Sequence, residues 1–392
     1  MAKLSQFSLS ILPHSLYRRH RRSTQILIAI PLISLGLAVF IGLDHAPNTG
    51  RWRLLFMTEE EDYAICEEGA KEMLASVSGL IYDENSEYVQ WARTVCANLA
   101  RVIDKDLRPG VNEPITVPSE FEVFVIDDRS TFNAYALGSS NKIFLYTPML
   151  ELIDHDDDIL ASVLSHEMAH IVQRHHIESQ AVASILLMIE DIVRGATWYI
   201  IDALGPFIND FFKNIMDGLI EISTSTTYNR RLEKEADLIG LEWMARAGYN
   251  PEKAVVFWER MRELELLVEN ENMEGEKQSG QIVLREGKRT SQKIPGENNE
   301  NEDERQISRS FAQTVDDWFG ASHPSTEERI MYLSAQMEHA LVTYHTALKQ
   351  NGPPKRFFET IKLPEHNVSE STIAYLQSWI KNTFFSKKSS ST

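Results

Sequence analysis

The chain has 392 residues, of which 43% are hydrophobic and 24% charged, so it can bury one full-sized core or two smaller ones. Its formal net charge of -18 gives it little attraction for phosphate backbones, which excludes nucleic acid as an expected partner. Its two cysteines, Cys66 and Cys96, are too few for a disulfide framework; two buried thiols are favoured, and a single bridge between them stays open.

The first 43 residues combine a basic segment with an uncharged apolar run. Residues 1–25 contain arginines and serines but no acidic residue, a composition typical of a mitochondrial targeting segment. The run "ILIAIPLISLGLAVFIGL", residues 26–43, is long enough to cross a bilayer. We therefore predict one transmembrane helix. Because the arginines precede this run, we expect the rest of the chain on the opposite side of the membrane from the N-terminus. A signal-anchor of a secretory or bacterial membrane is the alternative.

The segments that follow alternate between helical and strand patterns. Helical spacing of apolar residues occurs over 59–75 and 88–103. Aromatic and β-branched residues predict strands at 121–127 and 142–147. Residues 181–222 are apolar but interrupted by charges, which favours a partly buried or interfacial helical pair over a second membrane span.

The second half of the chain contains a strong helix from about Tyr228 to Gly248. Residues 269–309 include the charged run "GENNENEDER" and no aromatic side chain, which predicts a disordered insertion. We expect one domain over residues 48–338. Apolar residues at helical spacing then predict a helical tail within residues 339–392.

The stretch "HEMAH" carries the clearest chemical signal. His166 and His170 are four residues apart on a predicted helix, so both imidazoles project from one face and can bind the same ion. Glu167 lies about 100° round the helix from His166, where it can contact a water on that ion without being a ligand. The pattern is complete only with a third ligand.

His176 is one candidate for that third ligand. It follows His166 at the spacing of the extended motif H-E-x-x-H-x-x-G-x-x-H, but Gln173 stands where the motif has glycine. Without glycine we expect the helix to continue and to carry His176 away from the ion. His175 and His176 are therefore predicted to be exposed, or to lie beside a ligand without binding the ion themselves.

The later segment "EKEAD" offers a carboxylate instead. Glu233 and Asp237 share one helix face, whereas Glu235 points away from it. A solvated acidic face is the ordinary interpretation of such a segment, but the histidine pair requires a partner. We therefore predict Glu233 as the third ligand. Asp237 is then placed to accept a hydrogen bond from the outer nitrogen of a ligating histidine.

These motifs, with "NAYALGSSNKIFLYT" before them and "SHPSTEERI" after them, resemble the HtpX-like and CAAX-prenyl-protease-like zinc endopeptidases. "TGRWRLLF", "YNRRLEKEADLIGL" and "AVVFWERM" resemble the mitochondrial inner-membrane branch, whose activity overlaps that of the m-AAA protease. The resemblance covers roughly residues 48–333. It implies a mostly helical α+β fold: a zincin-like domain of the gluzincin type, with a small sheet beside the active-site helix, after one transmembrane helix.

The resemblance also implies a function. The chain would be a zinc metalloendopeptidase with one ion per chain, anchored in the lipid bilayer of the mitochondrial inner membrane and facing the intermembrane space. Its substrates would be misfolded or stress-targeted membrane proteins, including the dynamin-like fusion GTPase. The sequence contains no G-x-x-x-x-G-K-[ST] motif, so cleavage would be independent of ATP.

The same resemblance implies two further roles. His323 would stabilise the tetrahedral intermediate, and "KIFLYT" with Ile143 and Leu145, or the turn before it, would pair with an extended substrate. The family often has proline near the position of Gly138, so this turn is expected to differ here. The alternative is an inactive membrane-anchored scaffold or holdase of the same fold, against which the intact Glu167 argues. A homo-oligomer is left open.

Overall fold

The computed structural model describes residues 21–103, 120–129, 131–203, 229–266 and 325–358, without the side chains of 21–28 and 194–203. Residues 1–20 of the targeting segment, residues 204–222, the insertion, His323 and the chain beyond 358 lie outside the described residues. The elements in chain order are α1 (Arg21–Gly42), β1 (Leu43–His45), β2 (Trp52–Leu54), α2 (Glu59–Ser76), α3 (Glu87–Ile103), β3 (Glu122–Ile126), β4 (Ala134–Ala136), β5 (Lys142–Tyr146), α4 (Thr147–Ile153), α5 (Asp157–Gln173), α6 (His175–Ala203), α7 (Asn229–Arg246), α8 (252–266) and α9 (Thr326–Asn351).

The apolar run near the N-terminus lies in helix α1 as far as Gly42. Its last residue, Leu43, begins β1. Within the part of the chain that the structure describes, no helix is both long enough and apolar enough to cross a membrane. The β1–β2 hairpin follows at once, with Leu43 paired to Leu54. Its turn holds Asn48 and Gly50 at φ 58° and 65°, a left-handed conformation that these two residue types tolerate.

The small sheet has the order β3-β5-β4, with β5 parallel to β3 and antiparallel to β4. The strands at 121–127 and 142–147 agree with prediction, and β4 is an additional one. The structure does not support β5 as the strand that pairs with substrate. It is hydrogen-bonded on both sides, and Ile143 and Leu145 are each 0% exposed. The two outer strands beside it are β3 and β4.

The helices α5 and α7 pack against each other in the middle of the core. Their contact is close because Gly240 has no side chain: a Cβ at Gly240 would lie 3.0 Å from the backbone nitrogen of His166. Residues such as Leu160, Leu164 and Trp243 are buried around this contact. The two predicted ligand segments are therefore carried by helices that cannot shift independently.

The end of α5 differs from expectation. We expected the helix to continue beyond Gln173, but it ends there. Arg174 adopts a left-handed conformation with φ 55°, and its amide donates to the carbonyls of His170 and Ile171. The next helix, α6, begins at His175.

Long-range contacts hold this break in place. The guanidinium of Arg174 donates to Asp62 Oδ2 at 3.0 Å and to the carbonyls of Met57 and Thr58 at 3.2 and 3.1 Å. These three hydrogen bonds offset the cost of about 1 kcal/mol or more for a non-glycine residue in this region. Lack of glycine was therefore not a sufficient argument for a continuous helix.

The C-terminal part of the described chain packs against the start of α5. Helix α9 runs without a break through residues 338 and 339, where we placed the start of the tail. Beyond it, Arg356 donates to both oxygens of Asp158 at 3.0 Å, and the Phe357 amide donates to Asp157 Oδ2 at 3.0 Å. Residues 353–358 thus anchor α9 to the helix that carries the histidine pair.

Candidate metal centre and active site

The structure brings the three predicted ligands together. His166 Nε2 lies 3.1 Å from His170 Nε2 and 3.4 Å from Glu233 Oε2, and Glu233 Oε1 lies 3.3 Å from His170 Nε2. Two imidazole nitrogens and one carboxylate form a donor set that suits zinc, with room for a further ligand. The three side chains are therefore a candidate metal site.

Glu167 lies on the wall of a cavity of about 530 Å³, which the three predicted ligands and the residues of β4 also line. Its Oε2 accepts a hydrogen bond of 2.8 Å from the amide of Ala136, which fixes the direction of the carboxylate. Burial raises the pKa of Glu167 above its ordinary value. A buried carboxylate with a raised pKa is a competent proton acceptor near neutral pH.

A buried ion-pair network supports His166 from behind. Its Nδ1 lies 2.9 Å from Asp237 Oδ1. Arg329 donates to both oxygens of Asp237, at 2.6 and 2.7 Å, and Tyr332 also donates to Oδ2. The Arg329 guanidinium is 1% exposed and lies 3.6 Å from the ring centroid of Trp258. This arrangement fixes the proton on His166 Nδ1 and leaves Nε2 facing Glu233.

Charge in this network shifts two pKa values. Burial alone would raise the pKa of Asp237, but Arg329 and His166 outweigh it and lower the value to about 2. Burial alone would lower the pKa of His166, but Asp237 and Glu233 raise it to about 10. The ion-free His166 is therefore protonated at neutral pH, and metal binding at this site must release a proton.

Sequence reasoning missed Arg329 and Tyr332. Arg329 belongs to the quoted "SHPSTEERI", but only His323 was assigned a role there. An arginine that follows two glutamates at a helix start is ordinarily solvated, so no local signal marks it as buried. The position of "SHPSTEERI" after "EKEAD" was the one available indication that this segment contributes to the site.

His175 and Glu235 lie behind the second histidine of the pair. His175 Nδ1 is 3.0 Å from His170 Nδ1, and its Nε2 is 3.4 Å from Glu235 Oε2. His175 is not exposed: burial lowers its pKa to about 4, so the ring is neutral. Glu235 faces away from Glu233, as predicted. Burial raises its pKa, but His175, Arg51 and Thr49 outweigh this and lower it to about 2.

His176 belongs to a second cluster, with Asp62 and Cys66. Its Nε2 is 2.8 Å from Asp62 Oδ1 and 3.3 Å from Cys66 Sγ. Arg174 already neutralises Asp62, and burial raises the pKa of the Cys66 thiol to about 11, so both groups are satisfied without an ion. The cluster joins α2 to the start of α6. Cys66 and Cys96 are both free.

The cluster also explains the glycine in the nearby turn. Gly138 has φ +49°, which proline cannot adopt. A Cβ at this position would lie 2.3 Å from Cys66 Sγ and 2.7 Å from His176 Nε2. The tight packing of this turn against the cluster therefore leaves no room for a side chain at position 138.

Comparisons with known proteins point to one family of peptidases. The model of Peptidase family M48 matches residues 97–337. The chain is 26% identical over 245 residues to the mitochondrial metalloendopeptidase OMA1 of Saccharomyces cerevisiae, covering 62% of this chain and 66% of that protein. It is 27% identical over 225 residues to the mitochondrial metalloendopeptidase OMA1 of Homo sapiens, covering 57% and 40%.

A bacterial protein shares a shorter part. The chain is 25% identical over 159 residues to the beta-barrel assembly-enhancing protease of Escherichia coli, covering 38% of this chain and 30% of that protein. The matches thus span less than two thirds of each relative. The family model, however, covers more than half of the chain and includes His166, His170 and Glu233. The chain belongs to peptidase family M48.

Proposed function

We propose that the chain is a zinc metalloendopeptidase in which His166, His170 and Glu233 hold one zinc ion. The observation that carries the proposal is the convergence of their ligand atoms within 3.4 Å of one another, beside Glu167 in a shared cavity. Zinc held by such a set acts as a Lewis acid that polarises the scissile carbonyl and lowers the pKa of water.

Within this proposal Glu167 accepts a proton from the attacking water and later donates it to the leaving amine. The Ala136 amide holds the carboxylate in position at 2.8 Å. Asp237 and Arg329 keep His166 in the tautomer that presents Nε2 to the ion. The role of His323 in stabilising the tetrahedral intermediate rests on the family resemblance alone.

The substrate is proposed to bind as an extended peptide along β4. This strand lines the cavity, and within the described residues it pairs only with β5. Pairing through backbone hydrogen bonds does not depend on side-chain sequence. We therefore expect cleavage of loosely folded segments rather than of compact domains.

The setting proposed for this activity is the mitochondrial inner membrane, with the catalytic domain in the intermembrane space. The basic segment before α1 and the word "mitochondrial" in the names of the yeast and human relatives support it. Side chains of α1 such as Ile33, Phe40 and Ile41, which are 66%, 74% and 72% exposed, support attachment to a lipid bilayer. The proposed substrates are misfolded membrane proteins and the dynamin-like fusion GTPase.

The test uses Glu167→Gln with the full chain in detergent. Removing the proton acceptor is expected to lower cleavage of an unfolded membrane-protein segment about 10²–10⁴-fold, while zinc measured by elemental analysis stays stoichiometric. Glu242→Gln, a similar change on α7 outside the cavity, is the control. Equal cleavage by Glu167→Gln and wild type would defeat the catalytic assignment of Glu167, and absence of cleavage by both proteins would favour the inactive scaffold. Retention of zinc by Glu233→Ala would place the third ligand elsewhere.

A further inference from the structure

The outer nitrogen of His170 is held by a chain of buried polar groups. Because His170 Nε2 faces His166 and Glu233, binding an ion through Nε2 leaves the proton of the neutral ring on Nδ1. Nδ1 lies 3.0 Å from Nδ1 of His175, which must then accept this proton's hydrogen bond. His175 therefore carries its own proton on Nε2, on the side of Glu235.

Glu235 is in turn fixed by the hairpin near the N-terminus. Its Oε2 lies 3.4 Å from His175 Nε2 and accepts hydrogen bonds from Arg51 at 2.6 and 3.1 Å. Its Oε1 accepts a hydrogen bond from the Thr49 hydroxyl at 2.5 Å. Glu235 is 9% exposed, so a change in any of these partners is poorly compensated by water.

Arg51 joins this chain to a second buried carboxylate. It donates two hydrogen bonds to Glu178, at 2.5 and 2.8 Å, and Glu178 is 0% exposed. The guanidinium of Arg51 thus neutralises two carboxylates of the catalytic domain. An arginine suits this role because its planar group can donate two hydrogen bonds to each carboxylate. Glu178 provides a useful comparison because it binds the same arginine as Glu235.

The hairpin that supplies Arg51 is fastened to the catalytic domain. Arg53 also donates to the carbonyl of Gln173, the last residue of α5, and pairs with Asp44 at 2.7 Å. Strand β1 begins at Leu43, immediately after α1 ends at Gly42. Movement of α1 would therefore be transmitted directly to Arg51.

We propose that Thr49 and Arg51, acting through Glu235 and His175, are positioning residues that hold the imidazole of His170 in its metal-binding orientation. The hairpin after the apolar helix is then a structural part of the metal centre and not only a linker. This inference rests on the proposed role of His170 as a zinc ligand. The alternative is that Arg51 serves stability alone by neutralising two buried carboxylates.

The test compares Glu235→Gln with Glu178→Gln in the full chain. Both changes remove one carboxylate charge next to Arg51, but Glu235 is the residue whose Oε2 lies 3.4 Å from His175 Nε2. We expect Glu235→Gln to weaken zinc binding about 10–100-fold in competition with a chelator, and to shift the visible absorption bands of the cobalt-substituted protein. Glu178→Gln is expected to keep zinc affinity within about threefold of wild type, whatever its thermal stability.

Arg51 variants provide the second measurement. Arg51→Gln is expected to reproduce the loss of zinc affinity and the change in the cobalt spectrum, and Arg51→Lys to recover part of both, since lysine restores the charge with fewer fixed donors. If Arg51→Gln does not fold, the two glutamate variants decide the matter.

Equal effects of Glu235→Gln and Glu178→Gln on zinc affinity would overturn the inference, as would a wild-type cobalt spectrum in Glu235→Gln. These results differ from failure of the proposed function, in which the wild-type chain itself would bind no zinc at the His166, His170 and Glu233 site.

Discussion

Asp237 accepts hydrogen bonds from three side chains, His166, Arg329 and Tyr332. The pair with Arg329 is almost completely buried, since the two side chains are 4% and 1% exposed. A buried pair of this kind adds little net stability by itself, but loss of one partner leaves an uncompensated charge. The carboxylate therefore couples metal binding to the integrity of the core.

Asp237→Asn is expected to lower zinc affinity about 10–100-fold and the free energy of unfolding by about 3–5 kcal/mol. Chelator competition and urea unfolding measure the two effects. Glu242→Gln on the same helix, where the carboxylate is only partly buried, should change the free energy of unfolding by less than about 0.5 kcal/mol. Wild-type zinc affinity in Asp237→Asn would show that His166 is held by other groups.

Asp62 predicts a pH dependence that is separate from the metal centre. Burial would raise its pKa, but His176, Ser139 and Arg174 outweigh burial and lower it to about 2. A carboxyl whose pKa is lower in the folded state stabilises the protein above its ordinary pKa of about 3.9. This stabilisation is lost as pH falls towards 2.

The difference in unfolding free energy between wild type and Asp62→Asn should therefore be largest above pH 5 and shrink as pH falls from 4 to 2. Urea unfolding of the zinc-free proteins at several pH values measures it, since removing zinc removes the acid-driven loss of metal. A difference that stays constant down to the lowest pH would show that the Asp62 charge does not stabilise the α2 cluster.

At the level of elements, the contact of α5 with α7 determines where Glu233 lies relative to the histidine pair. Gly240→Ala would place a Cβ 3.0 Å from the His166 nitrogen and force the helices apart. Overpacking costs about 1–3 kcal/mol, against a gain in helix propensity of about 1 kcal/mol, so we expect a net loss of stability. Zinc affinity should fall with it, because Glu233 moves with α7.

Gly69→Ala is the matched control in α2. No atom lies within 4 Å of a Cβ built at Gly69, so only the gain in helix propensity of up to about 1 kcal/mol remains. Thermal unfolding and chelator competition compare the two variants. Greater stability of Gly240→Ala than of wild type would show that the helices have space to adjust.

Much of the site was predictable because its residues repeat at helical spacing. Two histidines at i and i+4, and a glutamate and an aspartate at i and i+4, each share a helix face whatever the rest of the fold does. The break at Arg174 was not predictable in this way. Its left-handed backbone depends on Asp62, Met57 and Thr58, which are more than 110 residues away in the sequence.

The strands illustrate the same limit. The strands β3 and β5 contain β-branched and aromatic residues and were predicted, whereas β4 has the sequence "AYA" and takes its conformation from pairing with β5. The β1–β2 hairpin had a local signal in "APNTG", whose Asn48 and Gly50 suit a tight turn. The contacts of this hairpin with Glu178 and Glu235 could not be predicted from any local sequence pattern, because they join residues far apart in the chain.

For the whole molecule, the exposed apolar side chains of α1 predict binding to lipid. The full chain should float with phosphatidylcholine vesicles in a density gradient, and replacing Ile33, Phe40 and Ile41 by serine should reduce the floating fraction severalfold. Serine at Met331 and Val342, which are 67% and 63% exposed on α9, is the control and should have no effect. Equal flotation of both variants would exclude these α1 side chains as the attachment surface.

Trp258 gives the folded molecule an optical reporter. Its indole ring lies against the Arg329 guanidinium, which donates to Asp237 and whose Nη2 lies 3.4 Å from His166 Nδ1. Indole emission responds to nearby charge, and loss of the proton from His166 alters the charge around this arginine. Tryptophan fluorescence during a titration with zinc should therefore follow occupancy of the centre without any attached dye.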